Sequence, residues 1–458
     1  MRILIAGGGD VGFLIAQRLI REGNEITIVE IDPRRCEYLE GVLDARIICG
    51  NAASVGTLKK AGSIDLDILI AITDIDEINL LCCLIAQVEL KATYKIARIR
   101  THEVDGWRQV CEKAGVKIDL IIHAESDIVD RILRVLPLPG VSEIFDFANG
   151  QIRLFGLNVE DGAWIDGKTM EQIQAAGAPK NSLVAMIFRG PQVMIPHGGD
   201  VVKVGDQIYV LTSSKQWDET LRFLGVTVRQ KVDRVFIVGG RQISIRLAQE
   251  LERRDKNVKL FEQDPQRCEK IARLVKRTVI VCADGTDERV LEEENVAGVD
   301  AFLALTGDDE DNIIACLLAK KLGNAKVAAL LNRLNYVIMA QRLGISTTIS
   351  PRLVTVDRAL RFVRKGGVLS VTTFRQEEAE AIELIAPADS KYVGVKLSDL
   401  RFPEGVLVGA IARTSGEVIV PRGDAVIQPG DRVIFFALEE VVPKLEAAFL
   451  REGQGRPR

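Results

Sequence analysis

Residues 2–12 read RILIAGGGDVG: after Arg2 come Ile3, Leu4, Ile5 and Ala6, the pattern of a buried strand, and then a glycine-rich turn leads into an amphipathic segment. Gly7, Gly9 and Gly12 form a GxGxxG motif after a strand and at the start of a helix, the context that gives the motif weight. Gly7 permits the tight turn, Gly9 lets the backbone approach a pyrophosphate, and Gly12 lets helix and strand pack closely. Asp10 and Val11 lie in the first helical turn, where unpaired N–H groups and partial positive charge favour an anion. The next apolar run, ITIVE, ends at Glu30, about twenty residues on, where a carboxylate can accept hydrogen bonds from ribose hydroxyls. An acid there repels a 2′-phosphate, so NAD(H) or an adenine nucleotide, ATP or ADP, is favoured over NADP. Asp32 competes for the ribose role, but it precedes Pro33 and equally suits a helix cap.

Further along, Ala45 to Cys49, Ile68 to Thr73 and Lys95 to Arg100 read as strands, separated by helical stretches such as Gly12 to Arg21 and Asn79 to Glu89. This alternation is that of a parallel, doubly wound α/β sheet. In AITDIDEIN, Thr73 and the acids Asp74, Asp76 and Glu77 precede a helix expected near Asn79. Such acids can bind a hard cation or simply complement the helix dipole. The fifth strand ends KIARIR. Arg98 and Arg100, two residues apart, point to one face at the carboxyl edge, where they either hold distal phosphates or snorkel as surface residues.

The chain then repeats itself. RILIAGGGDVGFLIAQRL at Arg2 returns as RVFIVGGRQISIRLAQEL at Arg234, ITIVEIDPRRCE as VKLFEQDPQRCE, and DILIAITDIDEIN as DAFLALTGDDEDN. VDRILR at Val129 returns as VDRALR at Val356, and VKVGDQIYVL as IQPGDRVIFF. Each half closes with short strands and Gly or Pro turns, the mark of a small β-rich lobe. The expected division is 1–136 and 231–363 for two dinucleotide-type α/β domains, 137–230 and 364–450 for two small α+β lobes, and 451–458 for a disordered tail. In the second half Gly239 survives, but Arg241 and Ser244 replace the equivalents of Gly9 and Gly12. Glu262 keeps the ribose position, and matching KIARIR to KVAALL puts Ala329 and Leu331 in place of the two arginines. This half is either structural or binds a different ligand, with Arg241 itself on a phosphate.

The 458 residues carry 60 Lys plus Arg against 64 Asp plus Glu, a net charge of -4 that supplies no overall field for nucleic acid. The longest uncharged stretch is about a dozen residues, short of the roughly twenty needed to cross a bilayer, and the start lacks a signal-peptide pattern. A cytoplasmic location is expected. Eight cysteines contain no CxxC pair, and the repeated ones, Cys36, Cys49 and Cys83 with Cys268, Cys282 and Cys316, read as core. No metal site is expected. None of the three histidines, His102, His123 and His197, returns at the matching place in the second half. No nucleophile elbow or Walker loop stands out, so ligand binding without turnover is favoured over the competing class, an NAD-dependent oxidoreductase with a duplicated dinucleotide domain.

Across essentially its whole length the chain resembles the TrkA-type subunits of Trk potassium-uptake systems, tandems of two regulator-of-potassium-conductance (RCK) units. The pieces that carry the likeness are RILIAGGGDVG, ITIVEID, DILIAITDIDEINLL and YKIARIR, the helix from Val129 to Arg134 and a small lobe, all occurring twice in order. The resemblance implies Rossmann-like domains in a non-enzymatic homo-oligomer, a dimer or tetrameric ring. It also implies a peripheral position on the inner face of the membrane, under a separate channel or transporter whose activity changes when NAD(H), ATP or ADP binds. By position, Gly7, Gly9, Gly12 and Glu30 would form the cleft, with Arg98 and Arg100 facing phosphates. The helices Glu125 to Val135 and Arg352 to Val363 are the candidates for coupling neighbouring units.

Overall fold

A computed structural model of the chain describes residues 1–62, 66–101, 103–190, 192–226, 232–323, 325–345, 347–363, 368–374 and 379–449. His102, the expected domain junctions at 230–231 and 364, and the tail 451–458 lie outside the described residues.

The first α/β sheet comprises β1 (Arg2–Ala6), β2 (Glu25–Glu30), β3 (Arg46–Cys49), β4 (Ile68–Ala71), β5 (Tyr94–Arg98) and β6 (Leu120–Ile122). Between and after them run α1 (Asp10–Arg21), α2 (Pro33–Val42), α3 (Val55–Ala61), α4 (Asp76–Val88), α5 (Val104–Lys113) and α6 (Ala124–Val135). The strand order is β3-β2-β1-β4-β5-β6, all parallel, with Ile3 paired to both Ile26 and Ile68. Strand order reverses between β1 and β4, so the crevice beyond their carboxyl ends is where such a sheet takes a ligand. Asp32 caps α2 by accepting from the Arg34 amide at 2.9 Å, with Pro33 opening the helix.

Three details differ from the sequence expectation. α4 begins at Asp76, not near Asn79, because the Asp76 carboxylate accepts the amides of Arg100 and Thr101 at 3.0 and 2.9 Å and is drawn into the first turn. β5 stops at Arg98, leaving Arg100 in the following loop. β6 was hidden in the apolar run before His123, since three residues are too few to show a period.

The first lobe contains β7 (Val141–Phe147), β8 (Ile152–Asn158), α7 (Met170–Ala175), β9 (Ser182–Arg189), β10 (Gln192–Met194), β11 (Gln207–Ser213) and α8 (Trp217–Phe223). The second half repeats the plan with β12 (Arg234–Val238), α9 (Gln242–Arg253), β13 (Asn257–Phe261), α10 (Pro265–Ala272), β14 (Val279–Val281) and α11 (Glu288–Glu293). It continues with β15 (Ala301–Ala304), α12 (Asp309–Leu322), β16 (Lys326–Leu330), α13 (Leu334–Arg342), β17 (Thr347–Ile349) and α14 (Pro351–Val363). The last lobe holds β18 (Val368–Phe374), β19 (Ala379–Ile385), β20 (Val406–Ala412), β21 (Val418–Ile419), β22 (Arg432–Leu438) and α15 (Val442–Phe449). The second α/β sheet has the order β14-β13-β12-β15-β16-β17, and the lobe sheets are β10-β9-β11-β8-β7 and β18-β19-β22-β20-β21.

The chain forms two compact units that do not follow the halves. Met1–Asp127 groups with Arg352–Val371, and Ile128–Pro351 with Thr372–Glu452. In the first unit, Val356, Ala359, Leu360 and Val363 of α14 are buried in one core with Ile3, Ile5, Ile15 and Ile96. Phe362 meets the ring of Tyr94 on β5 edge-on at 5.8 Å, and Asp357 lies 3.8 Å from the guanidinium of buried Arg18. A helix of the second half thus completes the first α/β core. In the second unit the inner faces of the two lobe sheets share a core that includes Phe147, Leu154, Phe188, Phe374 and Phe436.

The two sheets also correct the match between the halves. Ile68 pairs with Tyr94, and Ala301 pairs with Lys326. Arg98 and Arg100 therefore correspond to Leu330 and Asn332, one residue beyond Ala329 and Leu331. Lys326 thus corresponds to Tyr94 and not to Lys95, although residue type alone suggests the latter.

Candidate functional site

At the end of β1, Gly7 takes φ +109°, a left-handed conformation that favours glycine, and its amide donates to Val29 O at 2.9 Å. A Cβ on Gly12 would lie 2.0 Å from Gly7 O, so this glycine is what lets α1 approach the strand. Gly9 is different: a Cβ there meets nothing within 4 Å. The backbone opens onto free space at the residue where a pyrophosphate would approach. Val11 is buried in the core, and Asp10 stands half exposed at the head of α1.

The Glu30 carboxylate is held in place by the main chain. It accepts the amides of Gly8 at 2.7 Å, Ile31 at 2.7 Å and Asp32 at 2.9 Å. Since a carboxylate offers about four acceptor sites, capacity remains for a ligand hydroxyl. Asp32, engaged as the α2 cap, stands beside it rather than in its place. Arg35 ties this edge to the glycine turn: its Nε donates to Gly8 O at 2.8 Å, its Nη2 lies 3.3 Å from Asp10, and its guanidinium stacks 4.9 Å from the Tyr38 ring. Arg352 of α14 pairs with the other oxygen of Asp10.

Across the crevice, Thr73 follows β4. Asn79, fully buried, accepts from the Thr73 amide and hydroxyl at 2.8 and 2.7 Å and donates to Arg98 O at 2.9 Å. This clasp fixes the loop that carries Asp74. Arg98 lies 4.0 Å from Asp74, and Arg100 pairs with the same carboxylate. Burial, and secondarily the charge of Arg100, lower the Arg98 guanidinium to about 10, while Asp74, Asp76 and Glu125 act the other way. Asp74 is 83% exposed, so it can swing aside and give up two cations to an incoming anion. The structure therefore brings Gly7, Gly9, Glu30, Thr73, Asp74, Arg98 and Arg100 to one sheet edge.

The second crevice keeps the frame. Gly239 has φ +97°, the Gly240 amide donates to Glu262 at 2.9 Å, and Asn312 clasps Thr306 and Leu330 O as Asn79 does its partners. Arg241 lies across Gly307, where a Cβ would fall 1.8 Å from its Nη2. A cavity of about 370 Å³ remains, lined by Arg241, Glu262, Arg267, Thr286 and Asp308 among others. The frame is retained, then, but the approach over Gly307 is occupied by a cation.

Sequence reasoning passed over Arg35, Asn79 and Arg352. The first two leave a trace in the duplication: Arg35 recurs as Arg267, which donates to Gly240 O at 3.0 Å, and Asn79 recurs as Asn312. Arg352 has no such counterpart, because Glu125 occupies its place in α6. Cys36, Cys83, Cys268 and Cys316 are buried as expected, but Cys49 and Cys282 are exposed at the outer edge strands or just beyond them. Among the described residues no group of three or more His, Cys, Asp or Glu is placed to hold a metal.

The family model of the TrkA-N domain matches residues 3–124 and 235–351, and that of the TrkA-C domain residues 154–225 and 381–450. A protein of Halomonas elongata named Trk system potassium uptake protein TrkA is 34% identical over 443 residues, 96% of each chain. One of the same name from Azorhizobium caulinodans is 33% identical over 453 residues, 98% of each chain. Among solved structures, the GsuK channel bound to NAD has a TM-score of 0.60 at 17% identity, covering 98% of this chain and 78% of that one. That likeness shows the shared fold.

Proposed function

The chain belongs to the TrkA family of Trk potassium-uptake proteins, and from this premise we propose that it is a non-enzymatic regulatory subunit whose N-terminal crevice binds an adenine nucleotide. The observation that carries the reading is the convergence of the open Gly9 backbone, the anchored Glu30 carboxylate and the Arg98–Arg100 pair on one sheet edge. Glu30 suits a ribose, the head of α1 suits a pyrophosphate, and the two arginines suit further phosphates. NAD(H), ATP and ADP share the first two features and differ in the third; the fold neighbour named as bound to NAD supports the class.

Among the described residues no helix is long and apolar enough to cross a membrane. In this reading the potassium path belongs to a separate membrane-embedded Trk subunit. The regulator assembles as a homo-oligomer, a dimer or tetrameric ring, against the inner face of the membrane. A ligand shifts such an assembly only through different affinities for its arrangements, and a crevice sensitive to phosphate number makes the shift depend on which nucleotide is bound.

Calorimetry on the full chain tests this with ATP, ADP, adenosine and NADH, alongside an assay for nucleotide consumption. Binding without turnover is expected. Replacing Arg98 and Arg100 together with Ala should weaken ATP more than ADP and ADP more than adenosine, by about 1.5 to 3 kcal/mol per charged hydrogen bond removed. Absence of binding at this crevice overturns the reading, and turnover of NADH with a second substrate would favour the oxidoreductase.

A further inference from the structure

The first crevice is bordered by a residue from the far end of the sequence. Arg352, in the first turn of α14, pairs with Asp10 Oδ2, while Arg35 from α2 approaches Asp10 Oδ1 at 3.3 Å. Asp10 is the first residue of α1, directly after the open Gly9. The head of this helix is where unpaired amides favour an anion. Asp10 places a carboxylate at that helix head, and two guanidiniums bracket it.

α14 is firmly seated behind that contact. Four of its apolar side chains lie in the first α/β core, Asp357 faces Arg18, and Arg358 lies 3.4 Å from Asp127. Arg352 itself is 36% exposed at the crevice rim. The duplication isolates this arrangement as peculiar to the first crevice. At the equivalent places the second half has Gln242 for Asp10, and α6 has Glu125 for Arg352.

We propose that Arg352 is a phosphate-reading residue of the N-terminal crevice, exchanging Asp10 for a nucleotide phosphate and so linking occupancy of the crevice to helix α14. The proposal rests on the nucleotide-binding reading above. A pyrophosphate over Gly9 brings at least two negative charges beside Asp10. Repulsion displaces that carboxylate, and the planar guanidinium it held gains a bidentate partner in two oxygens of the phosphate. Because Arg352 is part of a helix packed into the core, the exchange acts on the helix as well as on the ligand.

The test uses the full chain with ATP, ADP and adenosine as probes. Arg352→Gln, which keeps much of the stem, should lower ATP affinity about tenfold, ADP less, and leave adenosine unchanged. Asp10→Asn should raise ATP affinity by removing the competing anion, and this gain should be smaller in the Asp10→Asn/Arg352→Gln double variant, where only the direct repulsion and the release of Arg35 remain. Hydrogen exchange gives a second readout. ATP should change protection across Arg352–Val363 in the wild type, and saturating ATP should not do so in Arg352→Gln. Wild-type ATP binding that is indifferent to Arg352, with the same exchange response in the variant, overturns the proposal and leaves the nucleotide reading standing. Failure of the wild type to bind any probe overturns that reading instead.

Discussion

The side-chain amide of Asn79 donates to the main-chain carbonyl of Arg98 at 2.9 Å, tying the loop after β4 to the last residue of β5. The same side chain holds Thr73 through its amide, hydroxyl and carbonyl. One buried residue therefore sets the spacing between the Asp74 loop and the arginine pair.

Asn79→Ala should cost about 1 to 3 kcal/mol for each buried partner it leaves unsatisfied. It should also weaken ATP by displacing Arg98 although it removes no ligand contact. Thermal unfolding and calorimetry check both, and unchanged ATP affinity in a folded variant would separate the clasp from the binding geometry.

Gly9 and Gly12 belong to one motif but should fail differently. Gly9→Asp places its side chain in open space, so the fold should persist while the added charge excludes phosphate. Gly12→Ala drives a methyl to within 2.0 Å of Gly7 O and should destabilise the domain itself. Circular dichroism melts beside ATP titrations distinguish the two, and equal melting temperatures would contradict the close-packing role of Gly12.

The glycine turn and Glu30 were legible because their chemistry resides in residue type and short spacing. Asp32 was legible only as two equal alternatives, ribose partner or helix cap, and the structure shows it capping α2. The start of α4 was not, since Asp76 enters the helix through bonds to Arg100 and Thr101, residues on another element. Nor was the partnership of Asp10 with Arg352, which depends on α14 docking against the first sheet rather than its own. Local patterns report local geometry; a helix that changes partners leaves its own sequence pattern unaltered.

That docking makes the first unit sensitive to a distant residue. Leu360 is 2% exposed in a core with Ile3, Ile5 and Ile15. Leu360→Ala should cost about 2 to 5 kcal/mol and should lower hydrogen-exchange protection in β1 and α1. A chain ending at Gln230 lacks α14 and should leave that core uncovered. Loss of protection confined to β12 and α9 would contradict the observed packing.

In the second unit Lys326 holds the end of the other connecting helix. Its ammonium donates to Leu138 O at 2.7 Å and Val141 O at 2.9 Å and also reaches Val135 O, the last residue of α6. Three carbonyls match three donors, and a cation suits a helix C-terminus. Burial nevertheless pushes this group down to about 7 from 10.5. Between those values the unfolded chain binds more protons than the folded one, so this lysine makes stability rise with pH, by at most about 1.4 kcal/mol per pH unit. Below about pH 7 both states are charged, and the full burial cost is present. Losing the proton also leaves two donors for three carbonyls, which should loosen the α6 terminus even as overall stability rises. Lys326→Met should flatten the pH dependence between 7 and 10 and leave those carbonyls without their donor at every pH. Melting temperatures measured across that range, with exchange at residues 135–141, check both effects; an identical pH slope in variant and wild type would show that the ammonium stays charged throughout.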